Sequence, residues 1–173
     1  TNIRKINGSV DLEPEPGKGS QIIIKLPLTI AIIQALMVEV ERSIFAIPLS
    51  TVIEAVRISR SEIKTINGRE VLHLRDRVLP LIRLAQEFDI PTDSNRERFY
   101  VVVAALGDRR IGVVVDELRS QEEVVIKSIW DYLETVKGVS GATITGEGKV
   151  VLILDTSELV QNAQAWHNPG IAA

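Results

Sequence analysis

Apolar and polar positions alternate along much of this chain with the two-residue period of half-buried strands. The clearest stretch is Met37-Val38-Glu39-Val40-Glu41-Arg42-Ser43-Ile44-Phe45-Ala46-Ile47-Pro48-Leu49, two apolar runs around a short polar turn, which predicts a β-hairpin. Shifted by sixty-six positions it lands without a gap on Val103 to Val115, turn over turn, with Ala46 over Gly112. A second unit, Val71 to Ile82, falls seventy-two positions later on Thr143 to Leu154. The order is hairpin, hairpin, and both again, the mark of an internal repeat.

The stretches between these units predict lesser elements. Thr1 to Gly8 reads as a helix end closed by glycine, and Ser9 to Glu13 with Gln21 to Pro27 as a hairpin around a Pro/Gly turn. Leu28 to Val40 is apolar enough for a strand buried on both faces or a docked linker. Pro48 cannot donate to a ladder, which argues for an edge position or a barrel corner. Ser59 and Glu62 have capping-box spacing for one helical turn, Leu84 to Phe88 reads as a short helix, and polar Pro91 to Glu97 as the crossing between halves. In the second half, Asp116 to Glu123 reads as an acidic loop and Ser128 to Lys137 as a helix. Ser157 is placed to cap a terminal helix through Leu159, Val160 and Ala163, and His167 to Ala173 reads as a disordered tail. Four hairpins with few helices predict an all-β fold, and the ordered double repeat predicts two similar small barrels, whose closure removes exposed edges.

Composition narrows the function. With 173 residues, 45% of them hydrophobic, the chain can build one domain or two small ones. Its 20 basic and 23 acidic residues leave a net charge of −3 without a basic run, and aromatics are 4%, which argues against a nucleic-acid partner. There is no cysteine, hence no disulfide or thiolate metal site. The longest nearly apolar run, Ile30 to Val38, falls far short of the about 20 residues of a membrane helix, and no signal peptide is visible. The expectation is a soluble, cytoplasmic chain without membrane insertion. Because it begins at Thr1 without a Met, it reads as a fragment.

Candidate chemistry is sparse. His73 lies in an alternating strand with Thr145 as its repeat equivalent, and His167 lies in the tail, so neither is a positioned base. Asp116, Glu117, Glu122 and Glu123 lack the regular oxygen spacing and glycine of a calcium loop. The expectation is no catalytic, cofactor-binding or metal-binding residue in this chain.

Four segments carry a family resemblance: "AIPLSTVIEAV", "DRVLPLIRL", "RRIGVVVDEL" and "SGATITGEGKVVLILD", in that order. From about Leu28 to Val160 the chain resembles the CheW-like domain. The helix, glycine, strand, "GKGS", strand, "LP" pattern before it resembles the end of the ATP-binding domain of GHKL-class histidine kinases. Together they look like the regulatory C-terminal region of chemotaxis histidine kinases of the CheA class. The resemblance implies two intertwined five-stranded SH3-like barrels with a few short helices. The implied boundaries are a kinase remnant at 1–27, a CheW-like regulatory domain at 28–161 and a tail at 162–173. It also implies a non-catalytic scaffold that docks the adaptor CheW and the cytoplasmic tips of chemoreceptors. ATP and Mg would then belong to the parent kinase, itself a homodimer through another domain. The competing reading is a β-barrel that binds a small ligand or nucleic acid, which the Val, Ile and Leu at inward positions disfavour.

The repeat also probes exposure. Ile44 falls on Arg110, Ile53 on Arg119 and Val56 on Glu122, so the first half places apolar side chains where the second places charges. Charged residues are seldom fully buried, which makes Ile44, Ile53 and Val56 candidates for an exposed partner-binding cluster.

Overall fold

The computed structural model describes residues 9–15, 19–25, 32–92, 95–126 and 136–165. The expected helix end at 1–8 and the tail at 167–173 lie outside them, as does the expected helix from Ser128 to Lys137 except for Val136 and Lys137, which are not helical. The chain divides into two compact units, 1–31 and 32–173. The first holds β1 (Ser9–Glu15) and β2 (Gly19–Lys25), an antiparallel pair from Ser9 opposite Lys25 to Glu15 opposite Gly19.

The second unit begins with the hairpin of β3 (Ile32–Val40) and β4 (Ser43–Pro48), followed by β5 (Val52–Ser59), β6 (Ile63–Ile66), β7 (Arg69–Leu74) and β8 (Arg77–Arg83). A short helix α1 (Leu84–Glu87) ends this half. The other half has the hairpin of β9 (Arg98–Leu106) and β10 (Arg109–Val115), then β11 (Glu117–Val125), β12 (Val139–Ile144), β13 (Val150–Leu154) and helix α2 (Thr156–Ala165). β3 and β9 begin and end sixty-six positions apart, as the sequence repeat requires.

The two halves exchange strands. One sheet runs β5-β9-β10-β8-β7-β6 and the other β11-β3-β4-β13-β12, so each contains strands of both repeats. The joints are parallel: Gly112 lies opposite Leu81 and, at the equivalent place, Ala46 opposite Ile153. The intertwining that the resemblance implies is therefore present, in one six-stranded and one five-stranded sheet. Among the described residues the strand pairings do not close either sheet into a ring.

The central hairpins read as apolar runs because both of their faces are covered. Alternate residues Leu36, Val38, Val40, Phe45 and Ile47 meet Val102, Ala104, Ile111, Val113 and Val115 in a core between the sheets, joined by Leu84, Leu154 and Leu159. The opposite faces fill two smaller clusters that are copies of each other. One holds Ala35, Met37, Ala46, Val124, Val151 and Ile153. The other holds Val101, Val103, Ile58 and Leu79, with Leu81 packed on it.

Several local readings change. Asp116 to Glu123 is not a loop: from Glu117 on it is the edge strand β11, where one-sided exposure lets charges replace the apolar alternation. Helix α2 is capped by Asp155, whose Oδ1 accepts the Glu158 N–H at 2.9 Å, and not by Ser157. Pro48 ends a strand interior to its sheet, and Pro80 sits one residue before the parallel pairing with β10 begins at Leu81. Pro48 meets the missing N–H at a strand end, and Pro80 meets it inside β8, where the pairing passes from β7 to β10.

Candidate functional site

Ile44 stands on β4 opposite Glu39 of β3, half-buried against the Ala35 cluster. Ile53 is 45% exposed and is the extra residue where the β5 to β9 register shifts between Val52 and Glu54. Val56 lies opposite Val101, half-buried against the cluster of Ile58, Leu72, Leu79 and Phe99. The repeat register holds here, for Glu122 lies opposite Ala35, the equivalent of Val101. The three candidates are nevertheless not one cluster. The turn at Leu49–Thr51 carries the chain from one sheet to the other, so Ile44 is on the five-stranded sheet and Ile53 and Val56 on the six-stranded one. His73 is an exposed strand residue opposite Val78.

Two concave regions stand out among the described residues. A cavity of about 500 Å³ lies between the halves, lined by Glu41, Glu70, Arg83, Arg96, Phe99 and Asp116 among others. Its charges are tied into clamps. The Arg83 guanidinium donates to both Glu70 oxygens, at 2.5 and 3.0 Å, and lies 4.7 Å from the Phe99 ring centroid. Arg96 bridges Asp116 at 3.3 Å and Glu41 at 3.7 Å. Such bidentate and shared pairs fix geometry, and here they fasten β7 to β8 and the inter-repeat crossing to the β3–β4 turn. The sequence reading missed them because their partners are brought close only by strand register.

The second region is a hollow of about 440 Å³ at one end of the five-stranded sheet, lined by Glu39, Arg42, Ile44, Arg119, Lys149 and Val150 with Val151. Arg119 Nε donates to Glu39 Oε2 at 2.6 Å, and Lys149 pairs with Glu147 at 3.1 Å. Val150 is 67% exposed, and Ile144, opposite it across β12 and β13, is 52% exposed. Apolar Ile44 and Val150 thus line the hollow beside charged side chains, of which Arg119 and Lys149 are ion-paired with Glu39 and Glu147.

These features define a duplicated, strand-exchanged β domain with surface hollows. The model of the CheW-like domain matches residues 34–164, and the chain belongs to that family. It is 48% identical over 167 residues to the sensor histidine kinase CheAY of Helicobacter pylori, covering 95% of this chain and 21% of that protein. It is 40% identical over 159 residues to the chemotaxis protein CheA of Bacillus subtilis, covering 91% and 24% respectively. The chain thus spans about a fifth to a quarter of the length of these relatives. The fold is that of the scaffolding protein TtCheW from Thermoanaerobacter tengcongensis, with a TM-score of 0.62 at 17% identity over 72% of this chain and 90% of that one. No helix among the described residues is long and apolar enough to cross a membrane.

Proposed function

We propose that this chain is the regulatory docking region of a cytoplasmic chemotaxis histidine kinase. It holds a CheW-class adaptor and the cytoplasmic tips of chemoreceptors, so that receptor state reaches a kinase that dimerises through another domain. The observation that carries this reading is the CheW-like match over residues 34–164 inside relatives that are sensor kinases. The filled interiors support docking over the ligand-binding alternative, because both outer clusters consist of the chain's own aliphatic and aromatic side chains. In this reading ATP and Mg²⁺ are bound elsewhere in the parent kinase, and the chain supplies no catalytic residue.

Titration calorimetry tests both halves of the proposal. A purified CheW-class adaptor is expected to give a saturable heat with this chain and Mg-ATP to give none. Silence with the adaptor, or saturable ATP binding, would overturn it.

A further inference from the structure

The two halves of the duplicated domain, residues 32–92 and 95–165, are incomplete in the same way. β5 pairs only with β9 and β11 only with β3, so among the described residues neither strand has a neighbour from its own half. The parallel joints of β8 with β10 and of β4 with β13 also run between halves. The central core is shared as well, Leu36, Val38 and Phe45 of one half packing with Val102, Ile111 and Val113 of the other. A half without its complement exposes strand edges and aliphatic side chains, so it takes a complement from any copy that presents one. Within one copy the halves are joined covalently only by the crossing from Asp89 to Glu97, between α1 and β9. That crossing contains a hinge. Asp89 holds φ +50°, and the Ile90 N–H donates to the Ala85 carbonyl at 2.7 Å, folding the chain back on α1. Extending Asp89 removes its left-handed conformation, and Ile90, which precedes Pro91, already favours extended backbone. The bridge from Arg96 to Glu41 and the hydrogen bond from the Arg60 N–H to the Glu97 carbonyl at 2.9 Å lie beyond the hinge, and either copy can supply their partners.

We propose that two copies of this chain exchange halves, the first half of each completing the sheets of the second half of the other, with the crossing opened at Asp89 to Pro91. Such a swap needs no new surface, because the closed and exchanged forms share one interface. The half on the same chain competes at an effective concentration in the millimolar range. The exchanged form therefore gains with chain concentration and with any shortening that hinders closure of the crossing. The inference concerns how the chain completes its own sheets and stands independently of the docking function.

The full chain is unfolded in urea, refolded at about 1 mM and at about 1 µM, and weighed by size-exclusion chromatography with light scattering. A species of twice the monomer mass is expected from the concentrated refolding only. The chain has no cysteine, so Gln34→Cys with Glu123→Cys, exposed and opposite each other on β3 and β11, reports which copy supplies each strand. After oxidation the dimer is expected to stay a covalent dimer on a denaturing gel, and the monomer to run as a single chain. Deleting residues 92–95 is expected to raise the dimer fraction at both concentrations. A concentrated parent chain that stays monomeric, a dimer whose cysteines link within one copy, or a dimer fraction unmoved by the deletion would each overturn the exchange.

Discussion

The Asp116 carboxylate reaches across seventy-five residues of sequence to accept the backbone N–H of Glu41 at 2.7 Å, pinning the β3–β4 turn to the end of β10. The Asp116 N–H in turn donates to the Glu39 carbonyl at 2.9 Å. Glu41 needs the support, because its φ is +54°, a left-handed conformation costly for any residue but glycine. At the same place in the second hairpin the repeat has Gly107, at φ +60°.

Asp116→Ala is therefore expected to destabilise the chain by about 1 to 3 kcal/mol, since it strips the turn N–H of its acceptor and Arg96 of a counter-charge. Asp116→Asn, which keeps an acceptor oxygen, should cost less. Glu41→Gly relieves the turn and is expected to be neutral or stabilising by up to about 1 kcal/mol. Urea unfolding of the three variants checks the order, and Asp116→Ala at parental stability would refute the pinning role.

Gly112 is where the two repeats trade volume. A Cβ built on it would stand 2.6 Å from Leu81 Cδ2 and from Val101 Cγ1. The equivalent positions in the other sheet are Ala46 and Ala35, so one copy spends its space on Val101 and the other on Ala46. Gly112→Ala is expected to cost about 1 to 3 kcal/mol by overpacking. The double variant Gly112→Ala, Val101→Ala should recover part of that loss, and a double variant less stable than Gly112→Ala alone would contradict the trade.

Ile53 and Val56 should behave differently under the same change. Ile53→Glu, at the exposed register shift, is expected to stay within about ±0.5 kcal/mol of the parent. Val56→Glu pushes a carboxylate toward the Ile58 and Leu72 cluster and is expected to cost more than about 1 kcal/mol. Equal thermal midpoints for the two would show that Val56 is as free as Ile53.

Hydrogen exchange should separate the two units. A two-stranded pair is marginal by itself, whereas β9 and β10 are interior strands covered on both faces. Amides of Ile22 to Ile24 are expected to exchange much faster than those of Val101 to Val103. Protection of β2 equal to that of β9 would show that the hairpin is held as firmly as the core.

The sequence by itself determined the strand-rich repeat and its hairpin boundaries. Burial on both faces of β3, β4, β9 and β10 writes continuous apolar runs, and their turns are local polar breaks, so both signals survive in one dimension. The same logic failed at β11, an edge strand whose exposed charges read as a loop. The exchange of strands was legible only through family resemblance, since no local pattern says that β8 joins β10 or that β13 joins β4. Tertiary structure alone decided that Ile44 parts from Ile53 and Val56, that Arg83 clamps Glu70, and that Arg119 pairs with Glu39 beside Ile44. Those arrangements depend on which distant strands lie side by side, and that is settled by packing two sheets from one duplicated chain, not by any residue's own preference.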